Sequence, residues 1–293
     1  MGRKYKVLVI IISYNFKRWI DLCLDSLRKS DYPADVIVID NDSKDDTTNL
    51  INKNYPEVRL IETGKNLGFG RANNIGMKIA LDEGYDFVFL LNQDAWIEPD
   101  TIGKLITAYN QTGKEYGIIS PVHLNGAGDK LDKGFSTYAK VEYIKENEQS
   151  IIPVEFINAA LWMLPRKTLE EIGGFSPLFR HYGEDIDYAN RVKYRNLKIG
   201  YVPTASGYHD REYRTTTEEA FLHSEFVFHL SEYANINHHF GKAFAFSILA
   251  CIKKMVNKRR KGYGEIAWRI LKNTNQVIET RKINKRKNRN HLF

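Results

Sequence analysis

The chain has 293 residues, of which 43% are hydrophobic and 27% are charged, a composition that argues against a disordered or fibrous protein. Its two cysteines, Cys23 and Cys251, lie far apart without metal-ligand spacing, which argues against a disulfide framework and favours a reducing compartment such as the cytoplasm. The net charge of +7 is unevenly divided, because residues 241–293 hold 15 Lys/Arg and only two acids. A strongly basic end on a mildly acidic body predicts an anionic partner, either a membrane surface or nucleic acid.

Apolar runs alternate with amphipathic segments over the first 112 residues. The run at residues 6–12 is short, β-branched and without a small-residue cleavage site, which favours a strand covered on both faces over a signal peptide. Further strands are predicted at residues 36–39, 58–61 and 87–91. Helices are predicted at residues 18–30, 43–54, 71–83 and 99–112.

This alternation predicts βαβ units and a mostly parallel, doubly wound α/β sheet. Beyond residue 120 the rhythm weakens, and strands are expected at residues 151–156, 159–164 and 198–203. Helices are expected at residues 167–172 and 184–195 and from residue 218 onward. We therefore expect an α/β domain over residues 1–215 and a helical, strongly basic region over residues 216–293.

Three predicted strands end in polar clusters. Ligands of parallel α/β sheets bind outside the carboxyl ends of the strands, and carboxylates placed repeatedly at those ends indicate a binding site. Loop solvation alone would put some of them there. The clusters are Ser13-Tyr14-Asn15, Asp40-Asn41-Asp42 and Asn92-Gln93-Asp94.

Six segments occur in an order typical of one family. They read VIIISYN, VIDNDSKDDT, NLGFGRANNIGM, LLNQDA, GGFSPLFRHYGEDIDYANRV and GYVPTASGYH. Over residues 6–209 the chain resembles family 2 glycosyltransferases of the GT-A nucleotide-diphospho-sugar transferase fold, in particular the rhamnosyltransferase-like branch. The resemblance implies inverting transfer of a sugar from a UDP- or dTDP-sugar to a saccharide hydroxyl, in bacterial cell-surface polysaccharide assembly.

The resemblance also implies which residues bind the nucleotide. Asp40 would bond the base or ribose, and Ser13 and Asn15 would line the same pocket. Asp42 would contact the nucleoside or order its loop, although helix capping by Asp42 and Ser43 explains this segment equally well. The resemblance places Asn66, Gly68 and Arg71 near the diphosphate or ribose. A glycine there permits close approach of the backbone to the ligand. The alternative for Arg71 is a solvated residue on the helix surface.

The glycine pattern after the third strand has a competing interpretation. Gly68 and Gly70 begin the pattern of a dinucleotide-binding loop, but the third glycine would fall at Asn73. Such a loop would also be expected after the first strand. We therefore do not expect a dinucleotide cofactor.

Family members usually carry Asp-x-Asp where this chain has Asn92-Gln93-Asp94. Asp94 would bind a divalent cation that bridges the diphosphate, while the Asn92 and Gln93 amides would bond a ribose hydroxyl or a metal-bound water. His209 matches a histidine that completes the metal shell, although a lone histidine is more often structural. Oxygen ligands suit Mg²⁺ or Mn²⁺, and a nitrogen ligand favours Mn²⁺. The alternative is a metal-poor site in which cationic side chains neutralise the phosphates.

A second acidic cluster opens the helix predicted at residues 184–195. Acids in a first helical turn are favoured by the helix dipole, which accounts for one of them. By resemblance Asp185 is the general base and Glu184 contacts the acceptor or orients the base. Asp187 would stabilise the helix start or an arginine such as Arg191. Trp162 borders the acceptor by resemblance and is equally compatible with a core position.

The basic end contains an apolar block at residues 243–252, too short to span a bilayer. Followed by Lys253, Lys254, Lys258, Arg259, Arg260 and Lys261, it predicts an interfacial helix on an anionic membrane, with residues 281–289 adding charge. The alternative is a helix packed on the catalytic domain. Nucleic-acid binding is not expected, since the body is acidic and no such fold is apparent. The expected location is cytoplasmic, peripheral on the inner face of the membrane, with a saccharide or lipid-linked saccharide as acceptor.

Two other functions compete with glycosyl transfer. A sugar-nucleotidyltransferase would show a glycine-rich, basic loop directly after the first strand, where this chain has SYNFKRW. A nucleotide-sugar-binding module with little turnover would keep the nucleotide site and tolerate Asn92.

Overall fold

The computed structural model describes residues 5–112, 114–139, 151–211, 217–258 and 262–286. Within these ranges nine strands form one sheet in the order β3-β2-β1-β4-β8-β6-β9-β5, with β7 paired to β9. The predicted residues Arg259, Arg260 and Lys261 and the last part of the basic run at 281–289 lie outside the described residues. The strands are β1 (Val7–Ser13), β2 (Asp35–Asp40), β3 (Arg59–Glu62), β4 (Phe87–Asn92), β5 (Ala95–Ile97), β6 (Tyr116–Asn125), β7 (Ile152–Val154), β8 (Leu161–Pro165) and β9 (Lys198–His209).

Ten α-helices of the described chain cover the sheet or follow it. Six belong to the sheet domain: α1 (Ile20–Arg28), α2 (Thr47–Asn54), α3 (Phe69–Asp82), α4 (Thr101–Thr112), α5 (Arg166–Ile172) and α6 (Glu184–Tyr194). Four form the C-terminal region: α7 (Glu218–Ala234), α8 (Phe240–Lys258), α9 (Gly262–Lys272) and α10 (Thr274–Lys285). No helix among them is both long and apolar enough to cross a bilayer.

The sheet has a parallel half and a mixed half. Strands β1 to β4 pair in parallel, as the βαβ alternation predicts, and the predicted α/β class is confirmed. Antiparallel pairings join β8 to β4 and β6, and β9 to β5 and β7, while β6 and β9 are parallel. The mostly parallel description therefore holds for the first half of the sheet.

Strand β1 shows why a continuous apolar run is required. Its side chains alternate between the two faces of the sheet, since successive residues of a strand point in opposite directions. Val7, Val9 and Ile11 belong to one core cluster, and Leu8 and Ile10 belong to the other. Both faces are covered by helices, so no position of this strand can be polar until it leaves the sheet at Ser13.

The C-terminal helices have a hydrophobic cluster of their own, which includes Leu230, Cys251, Ile266 and Val277 together with Phe179 from the sheet domain. Helix α10 also bonds to α6, because Asn284 donates to Asp187 at 3.1 Å. The basic region is therefore packed against the sheet domain. The division at residue 215 stays a prediction.

Candidate active site

The polar clusters predicted at the strand ends meet at one edge of the sheet. Ser13 lies opposite Asp40 in the β1–β2 register, and Asn92 lies opposite Ile12 in the β1–β4 register. His209 reaches the same edge from β9, where it pairs with Ala95, the residue after Asp94. Parallel pairing thus places residues that are far apart in the sequence around one opening.

A cavity of about 640 Å³ occupies this edge. Seven of the thirteen predicted site residues line it, and Tyr14, Asn41, Asn158, His181, Tyr182 and Arg211 are also in its wall. The predicted residues of the wall are Asn66, Asn92, Gln93, Asp94, Glu184, Asp185 and His209.

The other six predicted residues do not line this cavity. Asp40 is only 3% exposed and accepts hydrogen bonds from the Ser13 hydroxyl at 2.8 Å and from the hydroxyl and backbone N–H of Ser43. These bonds occupy the carboxylate and fix the loop that follows β2. A contact between Asp40 and a nucleoside stays a prediction.

Asn15 and Asp42 belong to the same loop system, and both have a left-handed backbone with φ of 54° and 72°. The Asn15 amide oxygen accepts from the Lys44 backbone N–H at 2.8 Å, and Asp42 forms an exposed ion pair with Lys44 at 2.6 Å. Neither Asp42 nor Ser43 caps a helix, since α2 begins only at Thr47. The capping interpretation is wrong because the Ser43 hydroxyl bonds to Asp40 instead.

Gly68 and Arg71 flank the start of α3. Gly68 has φ of 82°, and a Cβ atom built there would clash with the Arg180 carbonyl oxygen. The close backbone approach that this glycine permits is therefore to the protein itself. Arg71 is exposed, which agrees with its interpretation as a solvated helix residue.

The three residues of the Asn92-Gln93-Asp94 turn make different contacts. The Gln93 amide bonds the Tyr14 backbone in both directions, accepting from its N–H at 2.8 Å and donating to its carbonyl at 3.2 Å. Asp94 is buried, and its Oδ1 atom lies 3.4 Å from His209 Nε2. Asn92 Nδ2 approaches the same histidine nitrogen at 3.5 Å. An acid and an imidazole are thus held side by side at the cavity wall.

Three buried polar atoms at this wall have no hydrogen-bond partner among the described residues: Asn92 Oδ1, Glu184 Oε2 and His209 Nδ1. Buried polar groups are nearly always paired, so each unpaired one requires an explanation. All three residues line the cavity. Their clustering supports a binding site at this edge of the sheet.

Glu184 and Asp185 enter the cavity from the first turn of α6. Tyr182 and Gly183, with φ of 66° and 87°, form the turn that precedes them. Burial, together with the nearby Asp185 charge, raises the pKa of Glu184 to about 7. Burial also raises the pKa of Asp185, although backbone N–H groups such as that of Ile186 oppose the shift. A carboxylate with a raised pKa is a better proton acceptor.

Asp187, the third acid of this turn, points away from the cavity. It is buried and accepts from Arg191 Nε at 2.8 Å, which confirms the predicted pairing of these two residues. Trp162 is fully buried and lies against Phe175 and Tyr188. The core interpretation of this tryptophan is therefore correct, and it does not line the cavity.

No motif pointed to Arg211, which lines the cavity two residues after His209. Its guanidinium forms a two-pronged ion pair with Asp132, with Nε to Oδ2 at 2.7 Å. Burial alone would raise the pKa of Asp132, but the hydrogen bonds from Arg211 and from the Phe135 N–H outweigh burial and lower it. A permanent positive charge is thus fixed in the cavity wall.

Asp132 also faces His209, whose Nδ1 lies 3.8 Å from Asp132 Oδ2. With His123 these two residues form a second group whose ligand atoms lie close enough to hold an ion. However, the Asp132 carboxylate already pairs with a guanidinium, and His123 Nε2 bonds the Ser120 hydroxyl at 2.7 Å. Both interactions would compete with cation binding by this group.

Comparison with known proteins agrees with this geometry. Residues 8–173, more than half of the chain, match the family described as Glycosyl transferase family 2. The mixed sheet and this match together define a glycosyltransferase of the GT-A fold. The chain belongs to glycosyl transferase family 2.

Two curated relatives and one solved structure illustrate the similarity. The "Low-salt glycan biosynthesis hexosyltransferase Agl10" of Haloferax volcanii is 26% identical over 64% of this chain and 62% of its own length. The "N-acetylglucosaminyl-diphospho-decaprenol L-rhamnosyltransferase" of Mycobacterium tuberculosis is 25% identical over 72% of this chain and 78% of its own. The mannosyltransferase PcManGT from Pyrobaculum calidifontis, solved with GDP-Man and Mn²⁺, has a TM-score of 0.59 at 16% identity, covering 96% of this chain and 84% of its own.

Proposed function

We propose that this protein is an inverting glycosyltransferase that moves a sugar from a UDP- or dTDP-sugar to a saccharide hydroxyl during assembly of a cell-surface polysaccharide. One observation carries the proposal: Asp94, His209 and Asp185 open onto a single cavity of about 640 Å³. A volume of this size falls within the range of pockets that hold small-molecule ligands and cofactors. The family membership supports the same reaction class.

Asp94 and His209 would hold a divalent cation, Mn²⁺ or Mg²⁺. The two ligand atoms lie 3.4 Å apart, which suits two ligands of one ion bound at about 2.0–2.2 Å each. Asn92 lines the same cavity, and its amide would bond a metal-bound water or a ribose hydroxyl. When bound, such a cation neutralises charge that develops on the departing diphosphate.

Asp185 would act as the general base. As the acceptor oxygen forms its bond to the anomeric carbon, the acceptor proton passes to the Asp185 carboxylate. The bond from that carbon to the diphosphate oxygen breaks in the same step, and the electron pair leaves with the diphosphate. One displacement of this kind inverts the anomeric centre and needs no covalent sugar intermediate. Glu184, beside the base, would contact the acceptor or orient Asp185.

Arg211 would contribute a second positive charge for the diphosphate. Its clamp by Asp132 leaves the guanidinium in place before the substrate arrives, so little reorganisation is required during the reaction. Asn92 stands where family members usually have a carboxylate, so metal binding would be weaker here. The Arg211 guanidinium would then still supply positive charge for the diphosphate, because its charge does not depend on the metal.

The nucleoside would occupy the rim formed by the β1, β2 and β3 ends. Asn66 and Gln93 line the cavity there, and Asn66 is fixed by Asn41 Nδ2 at 3.2 Å. Ser13, Asn15, Asp40 and Asp42 would act by holding the loop that borders this rim. Gly68 and Arg71 do not line the cavity.

The acceptor would be a saccharide, or a saccharide carried on a lipid. The name of the mycobacterial relative describes a sugar linked through a diphosphate to decaprenol, which supports the second form. The competing function is a nucleotide-sugar-binding module with little turnover, favoured by the uncharged Asn92.

Release of nucleoside diphosphate from a panel of UDP- and dTDP-sugars tests the proposal, with and without Mn²⁺ and with saccharide acceptors. Acceptor-dependent release supports a transferase. Thermal stabilisation by UDP or dTDP without release from any donor supports the binding module.

A further inference from the structure

The C-terminal helix α8 has two apolar sides. One packs inward, where Ala243, Ile248 and Cys251 are buried against the other C-terminal helices. On the other side Leu249 is 61% exposed and Val256 is 66% exposed. Both are large apolar side chains seven residues apart, so they lie on the same face of the helix. The predicted apolar block is therefore only partly used for packing.

Helix α9 continues this exposed surface. Trp268 and Leu271 lie four and seven residues after Gly264, so the three share one side of α9. A Cβ atom at Gly264 would lie 3.3 Å from Met255 Sδ of α8, which places that side of α9 next to α8. The two helices thus present one continuous apolar surface, the α8–α9 face, formed by Phe246, Leu249, Ile252, Met255, Val256, Trp268 and Leu271.

The exposed large apolar residues of the described chain are concentrated on the α8–α9 face. Of the eleven large apolar residues that are exposed in the described chain, seven belong to it. Single exposed apolar residues are ordinary on soluble proteins, whereas a contiguous patch marks an interaction surface.

Lysines flank the α8–α9 face. Lys242 and Lys253 of α8 and Lys272 of α9 are exposed, and Lys272 lies over the Trp268 ring at 5.0 Å. Lys254 differs, because it forms an ion pair with Glu225. Apolar and aromatic side chains rimmed by lysines match the boundary between acyl chains and headgroups of an anionic bilayer.

We infer that the α8–α9 face docks on a membrane surface that contains anionic lipids. Charge favours this occupant over a second copy of the chain, since a symmetric pairing would bring like-charged lysines together. Residues 241–293 carry 15 Lys/Arg against two acids, and this net positive charge adds longer-range attraction to an anionic membrane.

The face is tied to the cavity through α7. His223 of α7 lines the cavity, and the His229 carbonyl accepts from the Ser247 hydroxyl of α8 at 2.9 Å. The inference rests on the proposed function in one respect: docking would bring the cavity near an acceptor sugar carried on a lipid. Membrane docking itself does not require nucleotide, so the two can be tested separately.

The test is co-sedimentation of the full chain with phosphatidylcholine vesicles and with vesicles containing phosphatidylglycerol. The variant is Leu249→Glu, and the matched control is Leu22→Glu, because Leu22 of α1 is 51% exposed and lies outside the α8–α9 face. We expect binding to anionic vesicles to fall at least about tenfold in Leu249→Glu and to stay within about twofold in the control. Binding of the unaltered chain to neutral vesicles should be at least about tenfold weaker, since each lysine near an anionic surface contributes attraction.

Three results would overturn the inference. The first is no sedimentation of the unaltered chain with either kind of vesicle, and the second is equal sedimentation of Leu249→Glu and Leu22→Glu. The third is a dimer in analytical ultracentrifugation that Leu249→Glu converts to a monomer without vesicle binding, which would assign the face to a second copy. Thermal stabilisation by UDP with Mn²⁺ should be the same in Leu249→Glu as in the unaltered chain, so that failure of docking is distinguished from failure of the proposed transfer.

Discussion

His209 presents Nε2 to the Asp94 carboxylate at 3.4 Å, across the antiparallel pairing of β5 and β9. An imidazole and an acid so arranged either pair with each other or share a cation. Because a cation would bridge nucleotide and protein, the two possibilities differ in how nucleotide binding depends on metal.

Asp94→Asn should reduce the metal-dependent part of nucleotide binding. We expect UDP in the presence of Mn²⁺ to bind at least about tenfold more weakly, equal to about 1.4 kcal/mol, while binding without metal changes little. Isothermal titration with and without Mn²⁺ measures both. The control is Asp82→Asn, an exposed acid of α3 that pairs with Lys78. Metal dependence that survives Asp94→Asn would remove this residue from the cation site.

Asp132→Asn should loosen Arg211. Breaking a buried ion pair costs about 3–5 kcal/mol; the Arg211 side chain is partly exposed, so we expect about 2 kcal/mol lower free energy of unfolding. Nucleotide affinity should also fall, and in the absence of metal too, because Arg211 carries its charge independently. Denaturant titration and calorimetry test these effects. Glu83→Gln, which removes the exposed pair with Arg59, should cost less than about 1 kcal/mol. Equal effects of the two substitutions would contradict the proposed clamp.

Glu184 should make stability depend on pH. Its folded pKa of about 7 lies above the ordinary 4.5, so the folded state holds this proton more tightly than the unfolded state does. The stabilisation is therefore complete below about pH 4.5 and lost as pH rises through about 7. Relative to Glu184→Gln, the unaltered chain should lose about 3 kcal/mol of unfolding free energy across this window. A difference between the two proteins that does not change with pH would contradict the raised pKa.

Gly68→Ala tests whether this glycine serves packing. With φ of 82° and ψ of 168°, Gly68 has a backbone conformation nearly restricted to glycine, which alone disfavours alanine by about 1–3 kcal/mol, and the new Cβ would also clash with the Arg180 carbonyl oxygen. Gly64 is a matched control, since it has φ of 66° and no atom within 4 Å of that position. We expect Gly68→Ala to lower the melting temperature clearly more than Gly64→Ala does. Similar decreases in melting temperature would mean that the segment at Arg180 moves to accommodate the added methyl group, and would contradict a packing role for Gly68.

The sequence predicted the parts of the fold that depend on local pattern. Apolar runs located β1, β2 and β4, and their polar ends located the cavity edge. The end of β9 was missed because Pro203 is a poor residue for a central strand. The register shifts from Pro121↔Val202 to Val122↔Ser206, so the proline lies in an irregular segment and the strand continues to His209.

The parts of the site that were missed depend on long-range contacts. Arg211 pairs with Asp132, 79 residues away, and no spacing rule connects them. Asp132 follows β6, a strand that was not predicted. Asp40, expected at the nucleotide by resemblance, accepts hydrogen bonds from the Ser13 and Ser43 hydroxyls, and its contact with a nucleoside stays a prediction. Hydrogen-bond partners of that kind become visible only once the strands are paired.

The central claim is that Asp185 removes the acceptor proton in a cavity that binds a nucleoside diphosphate. The most direct measurement is acceptor-dependent release of diphosphate by Asp185→Asn, paired with titration of UDP and Mn²⁺ on the same protein. General-base catalysis contributes about 10²–10⁴-fold, so we predict at least a hundredfold slower release with nucleotide affinity unchanged. Release at the original rate, or nucleotide binding weakened as much as release, would contradict the account.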